Sequence, residues 1–402
     1  MHVVMFGDQH VESLGGAQVS MRLQRRFLER AGHTVTIVAP KMHGPRAGFS
    51  PDPAYVDTPS IAITPDREYS LSWPGSRTDG FVDAALRGLP PVDVLHVQAD
   101  FWGAFTGHRF AARHGLPVVH TMHNRVDVGI HATAPFPRLV LRALNRWQRR
   151  ALRDVPGRVQ DGGDGWAYLR RFAARSHAVT APSAHFARRL DEHGALSLVG
   201  ERVIDVWNGI DDDVLDAALG DAAERLPGRP RFVWLGRMSP EKRLLPFLEA
   251  LAQARIDADV EIIGGGGQEK AARRLVQRHD LAGTVSFAGR LPYAQTLRRI
   301  AAADAVVQTS IGFETQGMTV FEAAALGTPA VISDPDIADE LGAGFWSVAD
   351  GSVSALADTL RVAAAAISAD AAPAPDPSIR ERFRQSSRTA AMVEIYERVI
   401  AG

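Results

Sequence analysis

The length, composition and charge of the chain limit what it can be. The sequence has 402 residues, of which 46% are hydrophobic and 23% are charged, so it is long enough for two globular domains with full cores. A formal net charge of −1 gives no overall basic field of the type that nucleic-acid-binding proteins present. The absence of cysteine excludes disulfides, thiolate metal sites and a cysteine nucleophile.

The N-terminal stretch "MHVVMFGDQH" leads directly into a short apolar strand pattern and lacks the basic-then-apolar order of a secretion signal. No run of about eighteen apolar residues occurs in the sequence. We therefore expect a cytoplasmic protein, and leave open whether it is free in solution or peripheral on the inner face of the cell membrane.

Short apolar segments alternate with helical patterns in two successive series. The first series comprises residues 3–6, 34–38, 92–97, 117–121 and 178–181. The second begins near residues 202–211 and continues with residues 231–237, 260–267, 284–290, 304–310 and 329–334. Such alternation is typical of doubly wound parallel sheets. The sequence predicts an α/β chain with Rossmann-like domains at residues 1–198 and 199–375, and a helix at residues 378–400 within a terminal segment, 376–402.

Ligands of open α/β sheets bind beyond the carboxyl ends of the strands, so the loops after strands are the candidate sites. Gly15 and Gly16 follow the first strand and precede a helix, where glycine lets the backbone approach a ligand and free helix amides can bind a phosphate. A simple tight turn is the alternative. The spacing does not match the three-glycine dinucleotide fingerprint.

A second loop, "WLGRMSPEK", places Arg237 and Lys242 after the strand at residues 231–237. An arginine fork and a lysine ammonium beyond a strand end can clamp a pyrophosphate, with about 1.5–3 kcal/mol for each charge-assisted contact. The alternative is a pair of solvated surface cations.

A third loop lies in the stretch "SIGFETQGMTVFEAAALGTP", where a helix should begin near Gly317. The free amides at its start, which would form an anion site, belong to Gly317, Met318 and Thr319. Glu322, about one turn inside the helix, can accept hydrogen bonds from a pair of ribose hydroxyls, and Glu314 can do the same for a sugar. Favourable interaction with the helix dipole is the simpler explanation of Glu314. The acids at residues 211–213 are expected to cap a helix, so no metal site is assigned.

With these residues assembled, the chain resembles the retaining glycosyltransferases of family 4, whose GT-B fold consists of two facing Rossmann-like domains with a cleft between them. The resemblance covers nearly the whole chain in order. It includes the glycine loop and the segments "HTMHN", "NGID", "GRMSPEK", "GGGG" and "ETQGMTVFEAAALGTP". The spacing of the two glutamates in the last segment is specific, whereas the glycine motifs are not.

The resemblance implies a role for each charged residue of the second domain. Glu314 would contact the transferred sugar, and Glu322 would bind the ribose of the nucleotide. Arg237 and Lys242 would hold the diphosphate in place of a metal ion. The chain is thus expected to be a retaining, metal-independent hexosyltransferase without a cofactor. The alternatives are a nucleotide-sugar-binding protein without turnover and a nucleotide-sugar epimerase of the same fold.

The resemblance also implies contacts around the sugar and the base. His123, within "HTMHN", would contact the donor sugar, and backbone groups near Arg290 and Leu291 would meet the base. Gln98 stands where the family usually has a second histidine, so we expect His96 to be packed in the core. A UDP-sugar is favoured over a GDP-sugar on family frequency alone, and the terminal helix is expected to pack on the N-terminal domain.

The segment "RLVLRALNRWQRRALR" forms a strongly amphipathic basic pattern. Six arginines fall on one helical face: Arg138, Arg142, Arg146, Arg149, Arg150 and Arg153. The opposite face is predicted to hold Val140, Leu144, Trp147 and Ala151. This helix either exposes its arginines only to solvent or rests them on anionic lipid headgroups, where each cation contributes about 1 kcal/mol. In the second case the hydroxyl acceptor would be a membrane glycolipid or lipid.

Overall fold

The structure, a computed structural model, describes residues 1–13, 16–44, 52–65, 67, 69–221 and 228–402. The chain forms two compact units. The first contains Met1–Gly209 together with Arg388–Gly402, and the second contains Ile210–Ser387. Each is an α/β unit built on its own parallel sheet, as the alternation of strands and helices predicts.

The first unit is built on a sheet that has seven strands within the described residues, in the order β3-β2-β1-β6-β7-β8-β9. The strands of this unit are β1 (His2–Gly7), β2 (Thr34–Pro40), β3 (Tyr55–Thr58), β4 (Ile61–Ala62), β5 (Ser70–Leu71), β6 (Val94–Gln98), β7 (Val118–Thr121), β8 (Ala178–Ala181) and β9 (Ile204–Asp205). Its helices are α1 (Gly16–Arg30), α2 (Ser76–Leu86), α3 (Trp102–His114), α4 (Val126–Thr133), α5 (Pro137–Ala151), α6 (Gly165–Ala173) and α7 (Ala184–Glu192). The small β4–β5 pair is antiparallel and separate from this sheet.

The strands of the first sheet are covered on both faces, which explains their continuous apolar runs. In β1 all six residues are buried. Val4 and Phe6 belong to the cluster on one face, whereas Val3 and Met5 belong to the cluster on the other. The two-residue alternation of a strand thus supplies two hydrophobic layers from one short segment.

The second unit is built on a sheet that, in the described part of the chain, has six strands in the order β12-β11-β10-β13-β14-β15. Its strands are β10 (Arg231–Arg237), β11 (Asp259–Gly265), β12 (Val285–Gly289), β13 (Ala305–Gln308), β14 (Ala330–Ile332) and β15 (Phe345–Ser347). The helices that follow in the chain are α8 (Asp212–Gly220), α9 (Leu244–Ala254), α10 (Glu269–Arg278), α11 (Tyr293–Ala302), α12 (Met318–Ala325), α13 (Pro335–Leu341), α14 (Val353–Ser368), α15 (Ser378–Arg382) and α16 (Gln385–Ala401).

The terminal segment differs from the single helix predicted at residues 378–400. It forms two helices, because the backbone at Phe383–Gln385 leaves the helical path to bond with Ile210. Phe383 packs against Phe321 in the second unit, with 5.8 Å between ring centroids. The later residues Met392, Ile395 and Tyr396 instead complete a hydrophobic cluster of the first unit.

The boundary between the units also lies beyond the predicted one. Residues 199–209, which the sequence assigned to the second domain, belong to the first unit because β9 pairs with β8 through Ile204 and Asp205. Within the described residues, no helix is both long enough and apolar enough to span a bilayer.

Candidate active site

The second sheet places its candidate residues where the strand order reverses. The chain runs outward from β10 through β11 to β12, and then returns to the other side of β10 with β13. Loops at the carboxyl ends of β10 and β13 therefore diverge and leave a crevice between them, which is the usual ligand site of such a sheet. Arg237 and Lys242 follow β10, and Glu314 follows β13.

Lys242 and Glu314 meet in this crevice. The Lys242 Nζ donates to Glu314 Oε1, and the Ser310 hydroxyl donates to the same oxygen at 2.6 Å. The lysine and glutamate side chains are 26% and 16% exposed. The two residues that the sequence assigned to diphosphate and sugar therefore form a partly buried ion pair with each other.

The backbone around this pair is fixed by buried side chains. Thr309 Oγ1 donates to the carbonyl of Lys242 at 2.6 Å and accepts from the indole of Trp234 at 2.9 Å. Gln308 Nε2 donates to the carbonyl and hydroxyl of Ser310 at 2.8 and 2.9 Å. The loops after β10 and β13 are thus held together by hydrogen bonds within the unit.

Arg237 bonds to neighbouring residues of the loop after β10. Its guanidinium donates to Glu241 at 2.8 Å and to the Ser239 hydroxyl at 3.3 Å. The Arg237 side chain is 68% exposed. A guanidinium that is this exposed can turn toward an incoming anion at little energetic cost.

Gly317 is the N-cap of α12, as predicted, and α12 begins at Met318, so that Thr319 lies in its first turn. Gly317 has φ 79, and a Cβ atom there would lie 2.6 Å from Ile337 Cδ1. Only glycine fits both the left-handed backbone and the close approach of α13. No side chain caps α12, so its N-terminal amides keep their capacity to bind an anion.

Glu322 is buried in α12, with 6% of its surface exposed. Burial raises the pKa of Glu322, and a hydrogen bond from Tyr293 opposes this rise. The Tyr293 hydroxyl donates to Glu322 Oε1 at 2.7 Å. Tyr293 is a site residue that sequence reasoning missed, although it begins α11 only three residues beyond Arg290, whose backbone was assigned to the base.

Arg290 and Leu291 follow β12 at the same edge of the sheet. Arg290 is exposed, whereas Leu291 is half-buried against a small cluster formed with Val233 and Ile263. Their backbone groups therefore lie at the carboxyl edge that the other candidate residues share. The acids after residue 210 behave as expected, because Asp211 caps α8.

The first unit holds the remaining candidate residues. Gly15 lies outside the described residues, and Gly16 is the exposed first residue of α1. His123 is half-buried directly after β7, and Asp100 fixes its backbone by accepting from the amides of His123 and Asn124 at 3.2 and 2.9 Å. Burial lowers the pKa of His123 to about 4, against the opposing effect of the Asp100 charge, so the imidazole is neutral at pH 7.

A hydrogen-bonded network orients the His123 ring. His123 Nε2 donates to Gln98 Oε1 at 3.3 Å, and the Gln98 amide donates to Gln24. Gln24 donates to the Tyr396 hydroxyl at 3.2 Å, and this hydroxyl bonds His96 Nδ1 at 2.6 Å. His96 is buried, as predicted, and Gln98 is the missed residue that links the candidate histidine to α16.

All six predicted arginines are exposed, five of them on the basic helix α5 and Arg153 in the turn that follows it. The buried face of α5 is not purely apolar, since Asn145 and Gln148 are buried with Leu141. Asn145 and Gln148 both accept from the buried guanidinium of Arg171. Polar residues can face a core when their donors and acceptors are hydrogen-bonded. A helical wheel shows only the positions of side chains around the helix, so it did not predict the burial of these two residues.

Two family models match the chain. Residues 14–159 match the model described as Glycosyltransferase Family 4, and residues 221–364 match the model described as Glycosyl transferases group 1. The two models cover the two regions that carry the candidate residues. The chain belongs to glycosyltransferase family 4.

Relatives of this glycosyltransferase include two kinds of lipid-modifying enzyme. It is 22% identical over 339 residues to the alpha-monoglucosyldiacylglycerol synthase of Streptococcus pneumoniae, a match that covers 82% of this chain and 70% of the relative. It is 32% identical over 146 residues to the phosphatidyl-myo-inositol mannosyltransferase of Mycolicibacterium smegmatis, covering 35% of this chain and 36% of the relative.

The transferase also resembles solved structures along its whole length. Anabaena HepE, solved in complex with UDP and glucose, matches with a TM-score of 0.66 and 16% identity over 99% of each chain. Sucrose-phosphate synthase from Thermosynechococcus elongatus matches with a TM-score of 0.66 and 18% identity, over 100% of this chain and 99% of that one. At such low sequence identity the structural similarity is evidence for the fold alone. It confirms the predicted GT-B fold.

Proposed function

We propose that this glycosyltransferase moves a hexose from a nucleotide sugar, preferably a UDP-sugar, to a hydroxyl of a membrane glycolipid or lipid. The transfer would retain the anomeric configuration and require no metal ion. The observation that carries the proposal is the crevice of the second sheet, where Lys242, Glu314, Glu322 and the start of α12 share one edge.

Departure of a nucleoside diphosphate places negative charge on the leaving phosphate. Lys242, Arg237 and the amides at the start of α12 supply fixed or nearby positive partners for that charge. Glu322 is placed inside the same helix to accept from the ribose, and Glu314 lies beside Lys242 to accept from the sugar. This set provides charge stabilisation from protein groups alone, which supports a metal-independent reaction.

Retention of the anomeric configuration is inferred from the family to which the chain belongs. In such a transfer the acceptor hydroxyl attacks the anomeric carbon on the face from which the diphosphate leaves, and its proton passes to the departing phosphate. A neutral His123 whose Nε2–H is donated to Gln98 can accept from a sugar hydroxyl through Nδ1, without adding a charge that would attract the phosphate. UDP is preferred as the carrier because HepE was solved with UDP.

The lipid acceptor is supported by the surface of α5. Phe136 and Leu139 are 67% and 60% exposed, beside the arginine face. No acid among the described residues pairs with Arg138, Arg142, Arg146 or Arg150. Exposed apolar side chains next to unpaired arginines suit the boundary between lipid headgroups and acyl chains. The named relatives act on diacylglycerol and phosphatidylinositol lipids, which fits this placement.

The donor is tested by calorimetric titration of the purified protein, in chelator and without added metal, with UDP, GDP, ADP and their hexose esters. A ligand at a hundred times its dissociation constant also raises stability by about 2.7 kcal/mol, which a thermal shift detects. We expect one nucleotide series to bind wild type and to bind the Arg237→Ala/Lys242→Ala variant far more weakly. Binding without transfer would favour a binding protein, and release of free nucleotide with an epimerised sugar would favour an epimerase. Binding of no nucleotide would refute the proposal.

The acceptor surface is tested by sedimentation with phosphatidylglycerol-containing and phosphatidylcholine vesicles. We expect replacement of Arg142, Arg146 and Arg149 by glutamate to abolish sedimentation with the anionic vesicles. The matched control makes the same charge change on α10, where three exposed cations with a similar spacing are Lys270, Arg274 and Arg278. Equal loss in both variants would indicate an effect of net charge and not of α5.

A further inference from the structure

Tyr293 forms a hydrogen bond with Glu322, the carboxylate that is proposed to bind the ribose of the nucleotide. It is the first residue of α11, and its hydroxyl donates to Glu322 Oε1 at 2.7 Å. The residue is 39% exposed, whereas Glu322 is 6% exposed. The hydroxyl end of Tyr293 therefore reaches into a buried position while part of its ring faces solvent.

In this pair, Tyr293 is the hydrogen-bond donor and Glu322 is the acceptor. Burial raises the pKa of Tyr293 well above its usual range, and the adjacent Glu322 carboxylate adds to the rise. The phenol therefore stays protonated and donates. For Glu322, the hydrogen bond from Tyr293 offsets part of the cost of burying a carboxylate.

A phenol and a ribose hydroxyl offer Glu322 the same group, an O–H donor. We propose that Tyr293 is a specificity-determining residue that stands in for a ribose hydroxyl on Glu322 in the empty donor site and gives up this position when a nucleotide binds. The inference rests on the proposed role of Glu322. Tyr293 can leave, because 39% of the residue is already exposed to solvent.

This exchange limits how much the ribose hydroxyls contribute to the binding free energy of the nucleotide. In wild type, one bond from a ribose hydroxyl to Glu322 replaces the single bond that Tyr293 already makes, so the net gain from that bond is small. Without the phenol hydroxyl, the empty site leaves a buried carboxylate short of a donor, and the nucleotide supplies it. Loss of the Tyr293 hydroxyl should therefore tighten ribonucleotide binding and increase discrimination against a deoxyribonucleotide.

The test compares dissociation constants of UDP, 2′-deoxy-UDP and 3′-deoxy-UDP for wild type and Tyr293→Phe. We expect UDP to bind Tyr293→Phe about five- to tenfold more tightly. We expect the deoxy analogues to gain less, so that the ratio of deoxy to ribo dissociation constants rises. GDP and ADP with their deoxy analogues replace the uridine series if one of them binds wild type more tightly.

Two variants separate the possible results. Tyr55→Phe removes another tyrosine–glutamate hydrogen bond, from Tyr55 to Glu12 at 3.0 Å in the first unit, and should leave nucleotide binding unchanged. Glu322→Gln should weaken UDP binding and abolish the effect of Tyr293→Phe. Unchanged or weaker UDP binding by Tyr293→Phe overturns the inference while the donor site stands. No effect of Glu322→Gln refutes the ribose assignment, and wild type that binds no nucleotide refutes the proposed function with it.

Discussion

Replacing Glu314 by glutamine tests whether the ion pair with Lys242 competes with the donor diphosphate. In the second unit, Lys242 already has a carboxylate partner, and Ser310 donates to the same oxygen. A diphosphate must draw the ammonium away from Glu314 or share it. Glutamine has nearly the same shape but no charge, so it releases Lys242 without opening a cavity.

The size of the effect follows from the exposure of the pair. Exposed ion pairs contribute up to about 1 kcal/mol, and charge-assisted hydrogen bonds in drier surroundings contribute about 1.5–3 kcal/mol. With side chains 26% and 16% exposed, the Lys242–Glu314 pair lies between these cases. We take about 1–1.5 kcal/mol, which corresponds to about five- to tenfold tighter binding of UDP by Glu314→Gln.

The assay is isothermal titration calorimetry with UDP and with the intact UDP-sugar, followed by a transfer assay. UDP should bind Glu314→Gln more tightly, whereas transfer should fall by about a hundredfold or more, because the sugar loses its carboxylate contact. Glu241→Gln is the control. It releases Arg237, whose side chain is 68% exposed, and should change UDP affinity by less than about twofold.

One result would refute this account. If Glu314→Gln binds UDP as wild type does, or more weakly, then Lys242 remains on Glu314 when the diphosphate is bound. Lys242 would then position the glutamate and would not hold the phosphate.

Two further predictions concern stability. His123 has its pKa lowered to about 4 and fully buried His108 has its pKa lowered well below the usual range, so both take up protons on unfolding, when their pKa returns to about 6.5. The part of the stability that these two histidines contribute should be complete above about pH 6.5 and fall toward pH 4, by about 1.4 kcal/mol per pH unit for each proton. Urea unfolding of wild type and His108→Gln at several pH values measures it, because the variant should lose less stability over this range. Gly317→Ala should lower stability by more than Gly312→Ala, because both need a left-handed backbone but only the first Cβ meets a neighbour, Ile337 at 2.6 Å. Thermal unfolding compares the two variants, and equal losses would show that contact with α13 has no part.

The sequence predicted those parts of the molecule that depend on local pattern. β10 spans the predicted residues 231–237, and α12 begins where the glycine at 317 indicated. Lys242 and Glu314 were predicted to share a site because both follow strands of one parallel sheet, whose carboxyl ends lie at the same edge. Their direct pairing was not predicted, since both residues had been assigned to a ligand.

The features that sequence reasoning missed depend on tertiary contacts. Tyr293 has no signature, because its role depends on the distance to Glu322 across two helices. The burial of Asn145 and Gln148 depends on Arg171, from a different helix. The short strand β3 was missed because its pairing with β2 defines it more than its own pattern does.

The path of the chain has a consequence for its synthesis. The first unit needs residues 388–402 to close the cluster over Val3 and Met5, while the second unit is one uninterrupted segment, residues 210–387. On the ribosome, residues 1–209 emerge before the second unit, yet the first unit can complete this cluster only after residues 388–402 have also emerged. A stop codon shortly before Arg388 would leave nearly all of the second unit but remove the α16 side chains of the first unit's cluster, so that chaperones and proteases could recognise the apolar surface left exposed.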